Sequence, residues 1–270
     1  MTAISLLLVI TGSCIGSFLN VVVWRLPRKE SVVWPGSHCP NCGHAVRWHD
    51  NIPVLGWMLL AGRCRDCGWS IPYRYPLVEV LTAGLWWSSL QATGFGSGTP
   101  TLLNLISGVV LVSLLIPLTL IDLDHLWLPE SLCRAGVVTG LLASGLAAIA
   151  QVSGGPELLF ARCLGACAAL LILEGVSHLG ERILGQPALG LGDAKLAALG
   201  GAWLGLTGIG MALALAILGG AVIGMTARVL GHLGPREPFP FGPFIATGIW
   251  LVWLQGADWW WERWLQLIGA

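Results

Sequence analysis

Asp122 and Asp193 are the residues whose type and setting could do acid–base chemistry. Each stands at the edge of an apolar run. Leu120-Ile121-Asp122-Leu123-Asp124-His125 closes one run, and Gly190-Leu191-Gly192-Asp193-Ala194-Lys195 opens another that is apolar or glycine from Leu196 to Leu206. A carboxylate at the edge of a membrane span is costly, so it is a functional candidate whose partner has to be named. Two carboxylates brought together on two helices could share a proton and activate a water. The structural alternative is that Asp193 caps a helix N-terminus, a task Asp performs well.

Four thiols form the second constellation. Cys39-Pro40-Asn41-Cys42-Gly43 and Cys64-Arg65-Asp66-Cys67-Gly68 are two C-x-x-C turns, each followed by glycine, with 21 residues between the pairs. Such a turn points two thiolates at one metal, and four make a closed tetrahedral site of the kind structural zinc uses. A closed site has no open position for substrate, so this zinc would clamp a small subdomain and not catalyse. Two disulfides are the alternative, and a reducing cytoplasm argues against them. His38, His44 and His49 nearby are expected to be solvated loop residues. Cys14, Cys133, Cys163 and Cys167 lie in apolar spans and are expected to be buried as small hydrophobes. Glu174, deep in a fifth span, is expected to be a structural hydrogen-bonding residue.

The elements that must carry these groups are membrane helices. Of 270 residues, 55% are hydrophobic and 10% charged, and mean hydropathy is +0.77. Charge is far below the roughly 25% of soluble domains, so the chain reads as an all-α polytopic membrane protein. With 14 Lys+Arg against 14 Asp+Glu, no net charge points to nucleic acid. Met1 leads directly into an apolar run with no basic segment before it, so this run is expected to be the first helix and not a cleaved signal. The expected division is residues 1–24 as the first span, 25–75 as a polar four-cysteine insert, and 76–270 as a membrane domain of about seven helices. After the insert, spans are expected at roughly 76–92, 102–122, 132–152, 158–178, 190–206, 209–230 and 241–253, about eight in all. The sixth is short and could pair with the seventh as a tight hairpin. Residues 94–100 read as a polar turn. Trp86-Trp87 and Trp259-Trp260-Trp261 look like interfacial anchors, and the 37 glycines suit close helix packing in lipid.

The basic residues orient these spans. Seven lie in the insert: Arg25, Arg28, Lys29, Arg47, Arg63, Arg65 and Arg74. Arg134, Arg182, Lys195, Arg228 and Arg236 lie in or beside later connections on the same side, and only Arg162 and Arg263 fall opposite. Twelve against two places the insert in the cytoplasm and the N-terminus outside. Asp122 ends the third span and Asp193 begins the sixth, so both fall on the cytoplasmic side. A proton pathway through Asp122, Glu174 and Asp193 would instead line carboxylates across the bilayer. A zinc-bearing scaffold for secretion partners would leave the aspartates idle.

Taken together, the motifs resemble those of the type IV prepilin peptidase family over nearly the whole chain. Gly16-Ser17-Phe18-Leu19-Asn20-Val21-Val22 with Arg25-Leu26-Pro27 resembles the family's opening helix. The cysteine pairs flank Asp50-Asn51-Ile52-Pro53, as in zinc-containing members, and Arg74-Tyr75-Pro76-Leu77-Val78-Glu79 resembles the start of its second helix. Ile121-Asp122-Leu123-Asp124 through Leu128-Pro129 resembles the first catalytic-aspartate motif, and Gly190-Leu191-Gly192-Asp193-Ala194-Lys195-Leu196 the second. Pro240-Phe241-Gly242-Pro243-Phe244 is similar to the last-helix signature. The chain departs from the pattern at Glu130, where the family usually has Asp, at Gln186-Pro187-Ala188-Leu189, and in its Trp-rich ends.

The resemblance implies an intramembrane aspartic endopeptidase of the bacterial inner membrane. It would remove the short basic leader of type IV prepilins or pseudopilins at the cytoplasmic face, with Asp122 and Asp193 as the catalytic pair. It also implies N-methylation of the new N-terminus with S-adenosylmethionine as donor. No Gly-rich nucleotide loop follows a strand, so the residues themselves assign no donor site. Asp50, Asn51 and Glu79 are candidates by position.

Overall fold

The computed structural model describes residues 3–93, 101–149, 155–185, 189–234 and 238–268. The expected turn over 94–100 and the Gln186-Pro187-Ala188 departure lie outside them. Among the described residues the regular elements are all helices, with two isolated β-bridges in the insert, which is otherwise turns and loops. The chain divides into two compact units, Met1–Ser97 and Gly98–Ala270.

The first unit holds α1 (Ala3–Arg25), the short α2 (Leu55–Leu59) and α3 (Arg74–Ala92). α1 and α3 pack along a glycine face of α1. A Cβ on Gly16 would lie 2.7 Å from the Glu79 Cα, and one on Gly12 would lie 3.0 Å from the Ala83 Cα. Small residues let the two backbones approach this closely, which is how helices associate where water supplies no driving force. Asn20 Nδ2 donates to the Tyr75 carbonyl at 3.1 Å, closing the pair at one end.

The second unit holds α4 (Thr101–His125), α5 (Glu130–Ile149), α6 (Gly155–Leu184), α7 (Leu191–Val229), α8 (Gly242–Gln255) and α9 (Ala257–Ile268). Proline opens three of them. Pro129 precedes α5, and Pro156 and Pro243 occupy the first turns of α6 and α8, where a missing N–H leaves no hydrogen bond unmade. α7 is central, packing against α5, α6 and α8.

α7 is broken at Gly205, whose φ of 75° and ψ of −176° are not helical. A Cβ on Gly200 would meet Ile209 Cδ1 at 2.6 Å. A straight helix would hold residues nine apart about 13 Å from one another at 1.5 Å per residue. The two halves therefore fold back along each other, and both reach α8: Gly200 meets Ile249, and Gly248 meets Ala212. The spans expected at 190–206 and 209–230 are these two halves. Among the described residues, five helices are long and apolar enough to cross a membrane: α1, α4, α5, α6 and α7. α3 has 19 residues and α8 only 14.

Several side chains depart from expectation. Cys133 is buried, but Cys14 and Cys167 are exposed and Cys163 is intermediate. A thiol tolerates an apolar surrounding on a helix's outer face as readily as in the core. Trp86, expected as an anchor, is a core residue packed beside Gly12, while its neighbour Trp87 is exposed. On α9, Trp259, Trp261 and Trp264 are exposed, with the Arg263 guanidinium over the Trp259 ring at 5.2 Å.

Candidate active site and metal centre

Asp122 lies in the last turn of α4 and is 5% exposed, whereas Asp124 is exposed. Two residues apart on a helix point about 200° apart, so one faces the bundle and the other leaves it. The backbone N–H of Gly242, at the start of α8, donates to Asp122 Oδ2 at 2.9 Å. A Cβ on Gly242 would lie 2.7 Å from that oxygen and 3.0 Å from its carbon. Only glycine lets the start of α8 come this near. The Pro-Phe-Gly-Pro-Phe motif carried this information in the sequence, but nothing local linked it to a residue 120 positions earlier.

Asp193 sits in the first turn of α7. The N-cap of that helix is Gly190, so Asp193 is not the cap residue. Its own N–H bonds the Gly190 carbonyl at 3.0 Å, and its Oδ2 lies beside Gly190, 3.2 Å from where a Cβ on that residue would stand. The negative charge of Asp122 acts on Asp193 through space, so the fold brings the two carboxylates within electrostatic reach.

A further contact was not legible in the sequence. Lys195 Nζ pairs with Glu130 Oε2 at 3.2 Å, and Arg134 donates to Glu130 Oε1 at 2.6 Å. This ties the start of α5 to the start of α7, two residues beyond Asp193. Gly192 lets the start of α7 close on Leu128, whose Cβ would be 3.0 Å from an added Cβ. Glu174 is half-buried on α6 and is not joined to this group by any contact described.

The four insert cysteines converge. Their sulfurs all lie within 4.8 Å of one another. Cys39 and Cys67 Sγ are 3.8 Å apart, and Cys42 and Cys64 Sγ are 4.0 Å apart. A tetrahedron built on zinc–sulfur bonds of about 2.3 Å has edges of about 3.8 Å. A disulfide needs sulfurs about 2.05 Å apart, and all four cysteines are free. The residues fit a zinc ion.

The two turns are copies of each other. Gly43 N–H bonds Cys39 O and Gly68 N–H bonds Cys64 O, both at 2.9 Å, with the glycines at φ 73° and 71°. Each is then closed by one bridge, His38 with Ala45 and Arg63 with Ser70. Left-handed backbone at the fifth residue of each turn explains the glycine after each pair. Among the nearby histidines, His38 and His44 are exposed, and His49 lies 3.7 Å from Asp50.

Asp50 is held by Arg65 through two bonds of 2.7 and 2.5 Å, and this guanidinium keeps its carboxyl below the usual carboxylate range. The pair ties the segment after the first knuckle to the second. Asp50, Asn51 and Glu79 border a single cavity of the first unit, of about 240 Å³.

A buried carboxylate and a half-buried one at helix ends, in a chain whose described residues include five helices apolar enough to cross a membrane, define a multi-pass membrane protein with a polar site. Comparison with known proteins makes the class specific. Residues 10–92 match the bacterial peptidase A24 N-terminal domain, and residues 109–225 match the type IV leader peptidase family. A prepilin leader peptidase/N-methyltransferase of Myxococcus xanthus is 40% identical over 234 residues, covering 85% of this chain and 65% of its own. Relatives of the same name from Aeromonas salmonicida and Pseudomonas aeruginosa are 36% and 33% identical. They cover 90% and 92% of this chain, which spans 87% and 89% of theirs. No solved structure matches the chain. The chain belongs to the type IV leader peptidase family and is an enzyme of it.

Proposed function

We propose that this protein is an aspartic prepilin leader peptidase and N-methyltransferase of the bacterial inner membrane, with Asp122 and Asp193 as its catalytic pair. The observation that carries the reading is the buried Asp122 carboxylate, held by the Gly242 N–H and within electrostatic reach of Asp193. The substrates are type IV prepilins or pseudopilins, whose basic leader precedes an apolar helix. Carboxylates at helix ends meet a scissile bond at the membrane edge without moving either partner through the bilayer. One aspartate, ionised, takes a proton from water. The other, protonated, hydrogen-bonds the scissile carbonyl and then protonates the leaving amine. Proton uptake belongs to the pair and not to either residue alone.

The chain crosses the membrane eight times in this reading. α7 contributes two crossings through its bend at Gly205, and α3 and α8 supply the two that fall short in length or apolarity. Residues 25–75 are a cytoplasmic subdomain clamped by zinc on Cys39, Cys42, Cys64 and Cys67, and the N-terminus lies outside. The basic count supports this orientation. S-adenosylmethionine supplies the methyl group for the new N-terminal amine.

The test is cleavage of a pilin precursor by membranes that contain this protein. Shortening by the leader length is expected, and none with Asp122→Asn membranes. A wild-type enzyme present at matched level that leaves every prepilin and pseudopilin intact would overturn the proposal.

A further inference from the structure

The α1–α3 pair is a depth gauge for the insert it carries. Gly16 meets Glu79, Gly12 meets Ala83 and Asn20 meets Tyr75, so the two helices run antiparallel in one register. Their ends on the insert's side carry residues suited to lipid headgroups. The Arg28 guanidinium lies 3.7 Å from the centroid of the exposed Trp24 ring, and Arg74 and Tyr75 open α3. The chain between these ends returns below that level. The Val54 N–H donates to Glu79 Oε2 at 2.7 Å, and the Ser17 hydroxyl bonds the same carboxylate. Glu79 is five residues into α3, and Ser17 is seven residues before Trp24. At 1.5 Å per residue these positions are about 7 and about 10 Å inside the helix ends. The short side chain of Ser17 holds the carboxylate near the deeper of the two. The segment that opens α2 thus reaches back alongside both helices.

α2 leaves that level with its apolar face outward. Leu55, Met58 and Leu59 stand at i, i+3 and i+4, on one face of a helical turn, and are 55, 61 and 80% exposed. The other face is clamped. A Cβ on Gly56 would overlap the Asp50 carbonyl, and Trp57 Nε1 donates to the Ile71 carbonyl at 3.0 Å. Val54 before the helix and Ala61 after it hold φ of 62° and 48°, which residues other than glycine rarely adopt. Such strain persists only where the surroundings over-determine it, and it gathers at functional sites. Here it turns three large apolar side chains away from the insert. Arg63, four residues past Leu59, is exposed, as are Arg28 and Lys29 at the end of α1.

Three neighbouring apolar side chains held out on a rigid turn mark a contact surface. The depth of Val54 says what meets it. We propose that α2 is a membrane-dipping turn, with Leu55, Met58 and Leu59 in the acyl region of the leaflet beside the insert and Arg63 at the headgroup phosphates. The partner is phospholipid, and the exposed cations around the turn suit anionic headgroups. The contact presses the zinc-knuckle subdomain against the bilayer between its two tethering helices. The inference rests on the reading of α1 and α3 as membrane crossings, and not on which face the insert occupies.

The test is photocrosslinking of the full-length, zinc-loaded protein in nanodiscs of phosphatidylethanolamine and phosphatidylglycerol. A benzophenone amino acid is placed singly at Leu55, at Leu59 and, as the reference for lipid contact, at the exposed Val80 of α3. Mass spectrometry of the irradiated protein is expected to show the added mass of a phospholipid at all three positions. Zinc content reports folding of the insert in each variant, and Leu55 decides the matter if the probe at Leu59 loses the metal. Lipid addition at Val80 with none at Leu55 or Leu59 would overturn the inference and leave the crossings standing. A crosslink from Leu59 to a second copy in place of lipid would make the face a dimer contact, and replacement of the lipid adduct by one to an added prepilin would give it to the substrate. Either result would overturn the inference. No lipid at Val80 would end the reading of α3 as a crossing, and this inference with it.

Discussion

The backbone N–H of Gly242 and the carboxylate of Asp122 meet at 2.9 Å, in a contact that no residue with a side chain could make. Gly242→Ala would push a methyl to 2.7 Å from the Asp122 oxygen, so the start of α8 or the carboxylate must shift. Displacements near 1 Å at a reacting group cost about 10²-fold in rate. Leader cleavage by Gly242→Ala is therefore expected to fall about a hundredfold in kcat with KM little changed. Cleavage kinetics on a prepilin would measure it, and wild-type kcat would show that Asp122 needs no such positioning.

Asp122→Asn and Asp193→Asn are each expected to abolish cleavage while the protein still inserts and holds zinc. A pair that shares a proton cannot work with one carboxylate. Asp124, exposed on the far side of α4, should tolerate Asn with substantial activity kept. The check is cleavage by each variant in membranes matched for protein level. Full activity in Asp122→Asn with none in Asp124→Asn would reverse the assignment on α4.

Purified protein should carry about one zinc per chain, given sulfurs already spaced as the edges of a zinc tetrahedron. Cys39→Ser should lose the metal and loosen the insert, because binding and folding are linked in modules this small. Elemental analysis and limited proteolysis would report both. Chelation should act on cleavage slowly, through unfolding; immediate loss of cleavage on chelation would instead make the metal part of the chemistry.

The insert should lie in the cytoplasm. A reporter active only outside the cytoplasm, fused near Gly62, is expected to be silent. Strong activity there would invert the orientation, and with it the face on which both aspartates lie.

Cleavage and methylation should separate. Given a pilin already cleaved but not methylated, Asp193→Asn should still methylate it, measured by mass spectrometry of the N-terminal peptide. Loss of methylation in a folded, zinc-replete variant would mean that both reactions share one site.

The thiol knuckles were legible because their geometry is local. Two C-x-x-C-G turns close within five residues each, and backbone bonds inside each turn impose the shape. The helices were legible for the same reason, since an apolar run long enough to span needs no distant partner to be recognised. A hairpin at the short sixth span could be suspected from its glycines. The position of the bend at Gly205, and the inclusion of both halves in one 39-residue element, depended on what packs beside it. Burial was the least legible property. Apolar surroundings alone did not say that Cys14 and Cys167 face outward or that Trp86 faces in.

The sequence by itself determined the kind of chain, the metal-ligand set and the two carboxylates worth pairing, all set by composition or by spacing of a few residues. Tertiary structure alone decided what touches those carboxylates. Gly242 reaches Asp122 across 120 residues, and Lys195 reaches Glu130 across two helices. Those contacts follow from ridges, glycine clefts and helix ends meeting in a packed bundle, and a glycine in the sequence looks the same whether its missing side chain admits a carboxylate, a helix or nothing.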